Sequence, residues 1–175
     1  MQINDLSRQK FELGKSFSKA YDELFSGYIK KLGKAEKTGI KTIQQVSSEF
    51  NAEYKTIRNA YETKKFELEV KETPSLYTMT SAVNRHRDIL NENMDKRLKA
   101  ARKELEKNLN SNTYDFAQKN MLKKQYLELE ASLKEEADKK ISTFRGSYYD
   151  ALTRKDNNAI SRLHTDILSN LLSEV

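Results

Sequence analysis

The sequence predicts an all-α protein, an elongated antiparallel helical bundle or coiled coil of four to five helices. Three observations carry this. Apolar residues recur at steps of three, four and seven through nearly the whole chain, which is the period of one helical face. One Pro and five Gly leave few interruptions in 175 residues. The chain is 33% charged and 37% apolar, a balance that leans toward long helices.

The first helix is expected over residues 3–38. Ile3, Leu6, Leu13, Phe17, Ala20, Leu24, Tyr28, Leu32 and Ala35 keep its period, and Asp5 is a candidate N-cap. Gly14, Gly27 and Gly33 weaken it, each by roughly 0.5–1 kcal/mol relative to Ala. Gly39, after Lys34 and Lys37, marks its end. The second helix covers 40–72, with Ile43, Val46, Phe50, Tyr54, Ile57, Tyr61 and Leu68 in its stripe. It should stop before Thr73-Pro74, because the residue before proline is pushed out of the helical region.

Thr73 as N-cap and Pro74 as first residue then open a third helix, which runs to about Leu109. Its stripe is Leu76, Met79, Val83, Leu90, Met94, Leu98, Ala101, Leu105 and Leu109, with His86 and Asn93 as polar insertions. Asn110-Ser111-Asn112-Thr113 reads as a turn that supplies the next N-cap. The fourth helix runs to about Arg154 on Leu122, Tyr126, Leu129, Leu133, Ala137, Ile141, Phe144, Tyr148 and Leu152, with Gly146 as a point of bending or early ending. Asp156 should N-cap a short fifth helix.

These elements suggest an N-terminal amphipathic helix (1–41), a three-helix antiparallel bundle (42–155) and a short C-terminal docking helix (156–175). Short loops between long helices make neighbours antiparallel. The helix lengths are comparable to those of spectrin-like three-helix repeats. The tryptophan expected there, and in the WxG turn of small helical secretion substrates, is absent. No family is assigned on this basis.

Composition removes several kinds of chemistry. With no Cys there is no disulfide framework, thiolate metal site or Cys nucleophile. His86 and His164 lack a partner at ligand spacing, and the carboxylates Glu128, Glu130, Glu135, Glu136 and Asp138 lie off the apolar stripe without a Glu-x-x-His motif. No phosphate loop or nucleophile elbow is present. The expectation is a protein that is not an enzyme and uses no cofactor, metal or small-molecule substrate.

No run approaches the ~20 apolar residues of a membrane-spanning helix. The start, Met1-Gln2-Ile3-Asn4-Asp5-Leu6, lacks the basic and apolar segments of a signal peptide. A cytoplasmic protein, or one inside a virion or other assembly, is expected. The net charge of +6 is spread as +4 over residues 1–41, −1 over 42–72, +3 over 73–110, +2 over 111–155 and −2 over 156–175. Interleaved charges of this kind suit solvated helix faces, so contact with nucleic acid is expected only without sequence specificity.

Two segments are left as candidate sites. The fifth helix is apolar over much of its surface, and Ile160, Leu163, Ile167, Leu168, Leu171 and Leu172 form an expected partner or oligomer face. The first helix offers Phe11, Phe17, Leu24, Phe25 and Tyr28 beside Lys30, Lys31 and Lys34 as a membrane or partner face. The leading expectation is a structural or assembly protein, homo-oligomeric or part of a larger complex such as a viral internal or scaffolding component, by class analogy. The alternatives are membrane association through the first helix, and a helical adaptor or inhibitor.

Overall fold

A computed structural model describes the backbone of residues 3–173 and the side chains of residues 5–170. The described residues form five helices and no strand: α1 (Ile3–Ala35), α2 (Ile40–Glu69), α3 (Leu76–Leu109), α4 (Phe116–Thr153) and α5 (Asn157–Ser173). The fold is all-α and bundle-like, built from paired helices. The helices make two compact units, Met1–Glu72 and Thr73–Val175.

The first unit is the α1–α2 hairpin. Phe17 stacks on Tyr61 and Tyr28 on Phe50, so residue numbers rise along α1 as they fall along α2, and the pair is antiparallel. The connecting turn is four residues long. Thr38 and Gly39 donate their backbone N–H groups to the Ala35 carbonyl at 2.9 and 3.1 Å, ending α1 three residues before the expected boundary. Gly39 then stands at φ 120°, ψ 176°, a backbone region essentially reserved for glycine, and serves as N-cap of α2. An ion pair between Lys10 and Glu72 joins the open end of the hairpin.

The second unit packs α3, α4 and α5. It does not follow the expected division at 41/42 and 155/156, because α2 pairs with α1 and α5 packs on α3 and α4. An apolar stripe does not name its partner helix. The tight turn at Gly39 decides that α2 returns along α1.

Two helix starts also differ from expectation. The N-cap of α3 is Ser75, not Thr73. Its hydroxyl accepts from Thr78 N–H at 3.3 Å, while Thr78 Oγ1 accepts from Ser75 N–H at 2.9 Å. The N-cap of α4 is Asp115, beyond the Asn110–Thr113 run, with a reciprocal pair of bonds to Gln118 at 2.8 and 2.9 Å. Each capping box satisfies two groups at once, which a lone hydroxyl further upstream cannot match. Gly146 neither ends nor interrupts α4.

The connection from α4 to α5 is the shortest between the five helices, three residues. Asp156 N–H donates to Ala151 O at 2.9 Å and Lys155 N–H to Leu152 O at 3.1 Å, the pattern of a helix closed by a left-handed residue. That residue is Lys155, at φ 55°. Asp156 also accepts from Ala159 N–H at 3.0 Å and caps α5 as the sequence suggests. A side chain in left-handed backbone costs about 1–2 kcal/mol. Lys155→Gly is therefore expected to stabilise the protein by about 0.5–1 kcal/mol once the extra chain entropy of glycine is subtracted. A urea midpoint that falls in this variant would contradict the assignment.

Buried apolar residues of the second unit include Val83 and Ile89 of α3, Leu133, Ile141 and Phe144 of α4, and Ile160 and Ile167 of α5. None of residues 96–127 is buried. With 17 residues against 38 for α4, α5 covers one end of the α3–α4 pair and leaves the other as two helices alone.

Candidate functional site

The two candidate faces meet different fates. Ile160 and Ile167 are each only 1% exposed, and Leu163 and Leu168 are half-buried. The fifth helix folds back on α3 and α4, so its apolar face is spent on the core of its own unit, which corrects the expectation of a docking helix there. Burying that face within the chain removes it from water without a partner. Leu171 and Leu172 lie outside the residues whose side chains are described.

The face on α1 remains accessible but divides. Phe17, Leu24 and Tyr28 turn toward α2. There they join a ladder of rings: Tyr21 meets Tyr54 edge-on with centroids 5.6 Å apart, Phe25 meets Phe50 at 6.4 Å, and Tyr28 stacks on Phe50 at 4.4 Å while its hydroxyl lies 3.2 Å from Ser47 Oγ. Such ring pairs contribute about 0.5–1.5 kcal/mol each beyond their burial.

Phe11 and Ile29 lie outside the ladder, with 68% and 49% of their surfaces exposed, while Phe25 is the ladder's most open ring, 43% exposed. Phe11, Ser18, Phe25 and Leu32 are spaced by seven, the repeat that brings a helix against another helix. Lys30 and Lys34 belong to another side. They are five and nine residues beyond Phe25, roughly 140° and 180° around the axis. The expected single face of aromatics and lysines is thus two faces. A bilayer in contact with Phe25 would not meet Lys34.

The ladder is open because two helices alone cannot close it. An apolar stripe more than ~100° wide needs neighbours on both flanks, and α1 meets α2 on one. Phe17, Tyr21, Tyr28, Phe50, Tyr54 and Tyr61 are all half-buried. A groove of ≈ 160 Å³ runs along the seam over Leu24, Tyr28, Val46 and Phe50, rimmed by Glu23, Glu49, Glu53 and Lys31. Open space surrounds the position where Gly27 would carry a Cβ.

The second unit holds a buried polar chain that sequence reasoning missed. Tyr148, fully buried, places its hydroxyl 2.9 Å from Thr78 Oγ1 and 2.8 Å from His164 Nε2. Thr78 also bonds Ser75, so the α3 cap, α4 and α5 are tied together. Burial pushes the Tyr148 hydroxyl above its ordinary pKa, against the lowering effect of its bond to Thr78. Burial likewise holds His164 below the ordinary histidine value. His86 stacks on Phe144 at 4.6 Å, and it too is held low, by burial first and then by the charge of Lys140. The one sequence signal was His164 inside an apolar stripe between Ile160 and Ile167.

Among the described residues, no group of three or more His, Asp or Glu side chains is placed to hold a metal ion. No described helix is long and apolar enough to cross a membrane. Compared with known protein families, curated proteins and solved structures, the chain matches none.

Proposed function

We propose that this is a non-enzymatic assembly protein whose α1–α2 hairpin packs against further helices, first of all those of other copies of the chain. The observation that carries this reading is the open aromatic ladder with Phe11, Phe25 and Ile29 exposed along its flank. Exposed apolar side chains that continue a half-buried stripe mark a surface that is covered in the working state. Phe11 and Phe25 are two heptads apart and Ile29 follows Phe25 by four, a helical spacing that suits a helix as the covering element. The lysines opposite Phe25 suit the solvent-facing side of such a bundle, which favours a protein partner over a lipid surface.

Sedimentation across a range of concentrations tests this. The chain is expected to run as an oligomer, and the variant Phe11→Glu/Phe25→Glu/Ile29→Glu as a 20.4 kDa monomer of unchanged helix content. A monomeric parent at every concentration, or a variant that still assembles, would overturn the proposal.

A further inference from the structure

The antiparallel pairing of α3 with α4 brings together two basic clusters that lie on either side of the Asn110–Thr113 turn. Residues 96–127 hold nine Lys/Arg against three Asp/Glu, a net charge of +6. The whole chain is also +6, from 32 Lys/Arg and 26 Asp/Glu, so the remaining residues hold 23 of each and sum to zero. The end of the hairpin that α5 leaves uncovered is therefore as positive as the whole chain, while the +4 of residues 1–41 is balanced by acidic segments elsewhere.

The contrast with the rest of α4 is informative. Lys134, Lys139 and Lys140 each pair with a glutamate four residues earlier, at 3.1, 3.0 and 2.9 Å. Among the described residues, Lys99, Lys103 and Lys107 make no ion pair, and neither do Lys119 and Lys123. Lys99, Lys103 and Lys107 follow one another at intervals of four, where like charges repel. They lie roughly 100–180° around the axis from Leu98, Ala101 and Leu105 of the seam. Such a row is unfavourable in the free protein and relieved by a polyanion.

At the same end, Phe116 is 82% exposed, the most exposed large apolar side chain among the described residues. It is the first residue of α4, held in place by the Asp115–Gln118 capping box.

We infer that this end of the α3–α4 hairpin binds single-stranded nucleic acid without sequence preference, its lysines on phosphates and Phe116 against a base. A flat anionic bilayer would meet one side of the tip. Here the basic side chains lie on both helices, and a flexible strand can follow them around. Phosphate neutralisation with an aromatic stacking surface is the usual chemistry of single-strand binding. Amphipathic insertion into lipid is less well served, because Phe116 and the α3 lysine row occupy different helices.

The test is anisotropy of a fluorescein-labelled oligothymidylate titrated with the full chain at several salt concentrations. Lys99→Gln/Lys103→Gln/Lys107→Gln should weaken binding about a hundredfold at 0.1 M salt and reduce the slope of log affinity against log salt by about 2, at ~0.7 per phosphate contact. Phe116→Ala should weaken it about five- to a hundredfold through lost stacking, with no change in that slope. Lys30→Gln/Lys34→Gln should bind as the parent does. The proposal is overturned if the parent does not bind the oligonucleotide, if the triple variant binds equally well, or if a duplex of the same length binds as tightly as the single strand. Lysine-dependent binding to phosphatidylserine vesicles without oligonucleotide binding would also overturn it, and would identify a lipid surface as the ligand instead.

Discussion

Tyr148→Ala is expected to destabilise the protein by about 3–5 kcal/mol, the range for deleting a large buried ring. Tyr148 has no exposed surface, packs beside Phe144 with centroids 6.2 Å apart, and fills the junction of all three helices of its unit. Tyr148→Phe separates the ring from the hydroxyl. Thr78 Oγ1 keeps its bonds to Ser75, so the loss falls mainly on His164 Nε2. Removing one buried partner in this way costs about 1–3 kcal/mol. Urea unfolding of the full chain, followed by far-UV circular dichroism, measures both. A Tyr148→Ala variant within about 1 kcal/mol of the parent would mean that this junction is not a structural centre.

That junction shows where the sequence is readable and where it is not. Tyr148 stands in a stripe with Ile141 and Phe144, so its burial follows from period alone. Its bond partners do not, because Thr78 is 70 residues away and carries no periodic signal. The five helices were legible for the same reason: their stripes are long and breaks are rare. The pairing of α2 with α1 was not, since both flanking helices offer a matching stripe and the choice is made by the backbone of Gly39.

The caps divide in the same way. Asp156 is the obvious oxygen acceptor before α5 and is used. Around α3 and α4, several Ser, Thr, Asn and Asp residues compete. The Asp115-x-x-Gln118 spacing was a readable capping box hidden behind the more conspicuous Asn110–Thr113 run. The basic tip was obscured by the linear order of the chain. Dividing the charge at Asn110 splits residues that the antiparallel pairing makes neighbours. The half-exposed ladder was legible as amphipathicity in α1, but which of its residues face α2 depends on the pairing.

Acidification from pH 7 to pH 5 is expected to weaken the fold through His164 and His86. Both are held below 6.5 in the folded protein, His164 by burial and His86 by burial and then by Lys140. In the unfolded chain they titrate at the ordinary value. Below ~6.5 the unfolded state therefore binds protons that the folded state refuses, and stability falls with falling pH. Above ~6.5 both states are neutral and the stabilisation is complete. The loss continues until pH passes the folded values, with a limiting slope of about 1.4 kcal/mol per pH unit for each histidine. The window lies above the range in which most carboxylates titrate, so the two effects separate. His86→Phe keeps a ring against Phe144 and removes one titrating group. It should lower the slope between pH 6.5 and 5 while leaving stability at pH 7 the same or higher, because it also removes the buried Nδ1, which has no hydrogen-bond partner. Urea midpoints of parent and variant that do not move between pH 7 and 5 would show that neither histidine is buried as described.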